Sequence, residues 1–96
     1  MTAYVIVDIE VTDPEIYDQY RAQAPATVAA YGGKYLARGG KTEALEGGWA
    51  PGRLVILQFD SLERACEWLD SPEYTRIKPL RHKAAISRMV AIEGVA

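Results

Sequence analysis

This chain of 96 residues predicts an α+β fold: one antiparallel sheet with helices on one of its faces. Three observations carry that reading. Four runs have the composition of strands, the first with clean period-two alternation. Helical stretches lie between them, opened by Asp13 before Pro14 and by Ser61, and the second is followed by a short segment that repeats the cap-then-proline start at Ser71-Pro72. The segments succeed one another as strand, helix, strand, strand, helix, strand, which is the split βαβ or ferredoxin-like arrangement. A parallel doubly wound sheet would need more strands and longer crossovers than this length provides.

Residues 4–11 read YVIVDIEV. Val5, Val7, Ile9 and Val11 form an unbroken aliphatic row, whereas Tyr4, Ile6, Asp8 and Glu10 form a mixed one. The sequence TDPE follows, with Asp13 as N-cap and Pro14 as the first helical residue, and with Thr12 and Glu15 as an alternative capping box. Ile16, Tyr20, Ala24, Val28 and Tyr31 then recur at helical spacing. Pro25 is expected to kink or restart this helix, and Gly32-Gly33 to end it.

A short strand is expected over residues 34–38, continuing past Gly39-Gly40 into residues 42–46. GGWAPG at residues 47–52 has the composition of a loop. RLVILQF at 53–59 is the strongest strand, with four consecutive aliphatic residues. Ser61 caps a helix in which Leu62, Ala65, Cys66 and Leu69 share a face beside Trp68. SPEY at 71–74 opens a second short helical segment that Pro79 should disturb. ISRMVAIE at 86–93 is the last strand.

Composition bounds the rest. The length suits one domain spanning residues 1–96. With 49% hydrophobic and 25% charged residues, disorder is not expected. A net charge of −2 gives no general attraction to nucleic acid. Arg76, Lys78, Arg81, His82, Lys83 and Arg88 form a basic run, read either as an anion site or as cations complementing a helix dipole. The single cysteine, Cys66, excludes an internal disulfide. No apolar stretch reaches the length of a membrane span. The opening residues lead straight into a strand without signal-peptide features, so a cytoplasmic protein is expected.

A second copy follows from the face that the helices cannot cover. Whichever parity points outward, the strongest strand exposes Leu54 and Ile56 or Val55, Leu57 and Phe59. The first strand exposes at least Tyr4 and Ile6, and the last adds further aliphatics. Such a patch exceeds what a monomer usually leaves wet. An identical sheet related by a two-fold axis is the simplest cover, so a homodimer is expected. Asp8 and, by register, Gln58 and Arg88 would share that face, either paired or lining a ligand space.

YGGKYLARGG at 31–40, LEG at 45–47, Phe59 and Ser61, Ala65 and Trp68, SPEY at 71–74 and Arg81 span nearly the whole chain. Together they resemble an uncharacterised bacterial family, a domain of unknown function within the dimeric α/β-barrel superfamily. Asp60 stands where that family typically has proline. The resemblance implies a ferredoxin-like subunit and a dimeric α/β barrel. The wider superfamily it points to mixes monooxygenases of small aromatics, isomerases, haem proteins and stress-response proteins, so it implies no single reaction.

ARGGKT at 37–42 ends like a phosphate loop. The first glycine of that motif would fall on Tyr35, and Gly47, Gly48 and Pro51 leave no long helix after Lys41. The glycine pair is therefore read as a bend or bulge in a strand. Arg38, just before it, is either a fork of donors for a carboxylate or phosphate, or an ion-pair partner of Asp8, Glu10 or Glu46. His82 is read as a general base or as a surface or anion contact; without a companion ligand it makes no metal site. Cys66 is read as buried packing. Asp8 and Glu10 lie on one side of their strand, about 7 Å apart by strand rise.

These readings combine into a homodimeric small-molecule-binding protein, with a cofactor-independent enzyme as one form of it and a pocket between sheet and helices. Asp8, Arg38 and His82 would be polar contacts, with Gly39 and Arg81 beside them and Tyr20, Trp68 and Tyr74 as walls. No metal, cofactor or nucleic acid is called for. The alternative is a non-catalytic dimeric structural or interaction module.

Overall fold

The two rows of the first strand part company in the computed structural model, which describes residues 1–95. Ala3, Val5, Val7 and Ile9 are buried, while Tyr4, Ile6 and Asp8 are half-buried on the opposite face. The sheet contains β1 (Ala3–Val11), β2 (Lys34–Arg38), β3 (Arg53–Phe59) and β4 (Ala85–Glu93), in the order β2-β3-β1-β4 and antiparallel throughout. Val5 faces Leu57 and Ala91 across the ladders, and Asp8 faces Leu54 and Arg88. A one-residue slip would move every aliphatic of a strand to the wrong face, and this fixes the register.

Three helices cover the row of odd-numbered β1 residues: α1 (Pro14–Ala30), α2 (Leu62–Leu69) and α3 (Pro72–Ala84). Asp13, Ser61 and Ser71 cap them, each side-chain oxygen accepting a backbone N–H three residues on. The capping box offered by Thr12 and Glu15 gives way to Asp13. Neither interior proline ends its helix. In α1 the missing N–H of Pro25 deprives the Arg21 carbonyl of its usual donor. Arg38 Nη2 donates to that carbonyl at 2.6 Å. A strand residue thus supplies the bond that proline cannot.

The core lies between the two layers. Trp68, Tyr74, Phe59 and Val28 are its largest fully enclosed side chains. The stripe expected along α1 is rotated slightly: Tyr17, Tyr20, Ala24, Thr27 and Val28 are buried, with Ile16 and Tyr31 at the margin. Thr27 is tolerated there because its hydroxyl donates to the Ala24 carbonyl at 2.8 Å and accepts the Trp68 indole N–H at 3.1 Å.

Two expectations are corrected. The second strand does not continue into residues 42–46; it ends at Arg38. Gly39 takes φ 70°, and its N–H makes the last ladder bond, to the Leu54 carbonyl at 2.9 Å. Since β3 begins only at Arg53, residues 40–52 have no strand to pair with and run as irregular chain. The irregularity that β2 does contain falls earlier, between Tyr35 and Ala37. Cys66 is also misplaced by the sequence reading: α2 turns Ala65 and Trp68 inward and leaves Cys66 exposed. A two-turn helix has room for only a narrow buried stripe.

Candidate functional site

The residues singled out from sequence fall into three places. The first is the centre of the interior. Tyr20 and Tyr74 meet hydroxyl to hydroxyl at 2.7 Å, and Arg81 Nε donates to the Tyr74 hydroxyl at 3.1 Å. Arg81 Nη1 also donates to the Ser87 hydroxyl, and Nη2 lies 3.4 Å from His82 Nε2. Trp68 packs 4.3 Å from Tyr74 and 5.4 Å from Phe59, ring centre to ring centre. Burial, reinforced by the neighbouring Tyr74, pushes the Tyr20 phenol far above its ordinary range. Tyr20 therefore stays protonated and serves as a hydrogen-bonding group, not a base.

Tyr20, Trp68 and Tyr74 are expected from sequence as walls of a ligand pocket, with Arg81 among its contacts; in the structure the four form a packed and internally bonded cluster. His82 sits on the exposed side of Arg81, at the last turn of α3, where Arg81, His82 and Lys83 complement the helix dipole.

The second place is the outer face of the sheet. Asp8 is paired cross-strand with Arg88 at 2.9 Å, and the Trp49 indole N–H donates to the same carboxylate oxygen at 3.3 Å. Trp49 thus pins the long 39–52 segment against the sheet. Around it lies a shallow depression of about 250 Å³ lined by Ile6, Asp8, Trp49, Arg88, Met89 and Val90. Val90 at its edge and Ile86 and Ile92 beyond it remain 60%, 65% and 57% exposed. Asp8 is thereby separated by the thickness of the sheet from Arg38, which occupies the helix side, and the expected trio of Asp8, Arg38 and His82 does not assemble.

The third place is a cleft of about 550 Å³ at the β2 edge, lined by Asp18, Arg21, Ala22, Pro25, Arg38, Gly39 and Arg53. Arg38 lies over the Tyr35 ring at 4.7 Å and is held by its bond to the Arg21 carbonyl. It is paired with none of Asp8, Glu10 and Glu46, among the described residues. Arg53 lies over the Tyr17 ring at 5.6 Å, and its guanidinium packs on the bare Cα of Gly39, where a Cβ would collide with it. Among the described residues lining the cleft only Asp18 brings a carboxylate, 3.5 Å from Arg21.

Arg21, Arg53, Tyr17 and Trp49 were missed from sequence. A signal for Arg53 existed: it stands in the same alternating row as Val55, Leu57 and Phe59, so a charge in that row had to face the helices. Trp49 offered none, because a loop tryptophan has no periodicity to read. No three His, Cys, Asp or Glu side chains gather as metal ligands among the described residues, and no described helix is long and apolar enough to cross a membrane.

The model of a family described as a domain of unknown function, DUF1330, matches residues 2–95, and the chain belongs to that family. No curated protein matches it in sequence. Among solved structures it is similar to RPA0582, a protein of unknown function from Rhodopseudomonas palustris, with a TM-score of 0.79 and 17% identity over 99% of this chain and 83% of that one. It is similar to SnoaB, a cofactor-independent oxygenase from Streptomyces nogalater, with a TM-score of 0.71 and 12% identity over 99% and 94%. A third relative is a dimeric protein of unknown function and ferredoxin-like fold from Bacteroides fragilis, with a TM-score of 0.62 and 12% identity over 97% and 96%. At such identities the likeness shows the shared ferredoxin-like fold.

Proposed function

We propose that this member of the DUF1330 family is a homodimeric small-molecule-binding protein. Its two sheets pack face to face, and each protomer takes its ligand on the helix side, in the cleft at the β2 edge. One observation carries the reading: the two sides of the sheet are finished differently. The helix side carries the polar cleft of about 550 Å³ at Arg38, Gly39 and Arg53, wider than the apolar groove of about 130 Å³ beside Ala65 and Trp68 or the depression of about 250 Å³ between α1 and α3. The other side carries an aliphatic surface with no helix over it, and burying such surface is worth about 25 cal/mol per Å².

The dimeric ferredoxin-like neighbour from Bacteroides fragilis supports the pairing. The cofactor-independent oxygenase SnoaB supports an enzymatic form of the reading, in which this chain's own side chains act on the bound molecule. A second reading, a dimeric module without catalysis, is favoured by the interior cluster, where Tyr20, Trp68, Tyr74 and Arg81 bond to protein groups and leave no ligand wall.

Thermal-shift measurements with a panel of neutral and anionic metabolites separate the two. The binding reading expects at least one compound to raise Tm in proportion to the logarithm of its concentration. A panel in which nothing stabilises the protein supports the module.

A further inference from the structure

We infer that the cleft at the β2 edge is an oxyanion site, in which Arg53 and Arg38 hold the carboxylate or phosphate group of a small molecule. The inference deepens the proposed function and rests on its placing of the ligand in this cleft.

The cleft holds an orphaned donor. Arg53 Nε is sealed from solvent and has no hydrogen-bond partner. A guanidinium cannot shed its charge to escape burial. A buried charged N–H without an acceptor is strongly disfavoured, so natural proteins seldom keep one without a use. Among the described residues no carboxylate lies within 4.0 Å of Arg53. An oxyanion in the cleft would supply the counter-charge that the described residues do not bring to Arg53. The contrast with Arg81 is instructive. That arginine is buried as a whole, where Arg53 is half-buried, and the hydroxyls of Tyr74 and Ser87 satisfy it.

Both guanidiniums are held in place before any ligand arrives. Arg53 is fixed by its strand, by the Tyr17 ring beneath it and by the space that Gly39 leaves open. Arg38 spends one N–H on the Arg21 carbonyl and stacks on Tyr35, leaving the rest of its five donors free of protein acceptors among the described residues. Arranged this way, the two planar forks lose little freedom on gripping an oxyanion, which favours bidentate recognition.

Three arginines line the cleft against one aspartate, and Asp18 is taken up by Arg21. The cleft is thus locally positive in a chain whose net charge is −2. Two uncompensated cations suit a single anionic group on a small molecule. They are too few for a nucleic-acid backbone, whose binding draws on many phosphate contacts.

The test is carried out on the full chain by following the arginine Nε–Hε signals by NMR during separate titrations with inorganic phosphate, with benzoate and with sodium chloride at matched ionic strength. The expected result is a saturable shift of the Arg53 Nε signal with one of the two oxyanions and none with chloride. Which oxyanion saturates tells a phosphate ligand from a carboxylate. Arg53→Lys, which keeps the charge and removes the fork, should weaken that binding at least tenfold, with an unchanged far-UV circular dichroism spectrum. The wild-type titration stands alone if the variant does not fold. Absence of a saturable shift with both oxyanions, or the same shift with chloride, overturns the inference. In that event a neutral metabolite that raises Tm leaves the small-molecule reading standing, whereas a panel without any stabilising compound removes both.

Discussion

Pro25 and Arg38 stand thirteen positions apart in sequence, and one depends on the other. Proline leaves the Arg21 carbonyl without a donor, and Arg38 supplies one. Arg38→Ala should therefore cost about 1–2 kcal/mol in the native sequence. In a Pro25→Ala background, where the backbone N–H is restored, the same change should cost at least about 0.5 kcal/mol less, and a urea-denaturation double-mutant cycle reads the difference. Equal costs in both backgrounds would dissociate the two residues.

Inside the core, Tyr74→Phe strips an acceptor from Arg81 and a partner from Tyr20, and should destabilise by about 1–3 kcal/mol. The Tyr20 phenol has its pKa raised on folding, so its contribution is fully present below the unfolded value near 10.0 and declines as pH rises beyond it. Stability should fall by up to about 1.4 kcal/mol per pH unit above that point, and Tyr20→Phe should remove this part of the slope in alkaline urea titrations. At this scale the sequence pointed to Arg38, Tyr20, Tyr74 and Arg81 as polar groups of consequence. It could not show which carbonyl or hydroxyl each would meet, because the partners of Arg38 and Tyr20 lie 17 and 54 positions away and are set by the packing of helix on sheet.

Among the elements, β2 is the one whose end shapes the cleft. Gly39 leaves the ladder at φ 70°, and its missing side chain gives the Arg53 guanidinium its seat. Gly39→Ala meets both a left-handed backbone and the displaced guanidinium, so it should cost about 1–3 kcal/mol. Gly40→Ala, with open space around it and no left-handed φ, is the control and should be close to neutral. A Gly39 variant as stable as the Gly40 variant would refute the seat.

Trp49→Ala should release the 39–52 segment, seen as faster tryptic cleavage after Lys41 while the remainder stays resistant. The element order and the two rows of β1 were legible because alternation and capping are local properties. The end of β2 was not legible: strand-like residues beyond Gly40 look the same in sequence whether or not a neighbouring strand is within reach. The persistence of α1 and α3 through their prolines was hidden for a similar reason, since packing outweighs the local penalty.

The whole molecule is a slab whose shortest extent is 16 Å, two layers thick, with helices on one side and an aliphatic sheet face on the other. That face was the one large-scale feature readable in advance, because Ile6, Ile56, Val90 and Ile92 occupy outward positions that water would fill with polar residues. Trp49 and the Asp8–Arg88 pair cover part of it and leave Ile86, Val90 and Ile92 largely exposed.

The proposed dimer is the claim on which the functional account turns, and sedimentation velocity at micromolar concentration tests it most directly. The account predicts a species of twice the 10.6 kDa chain mass for the wild type, and a shift toward the single chain for Val90→Asp, whose carboxylate would be buried between the sheets. A wild-type chain that sediments as a stable monomer at that concentration would contradict it.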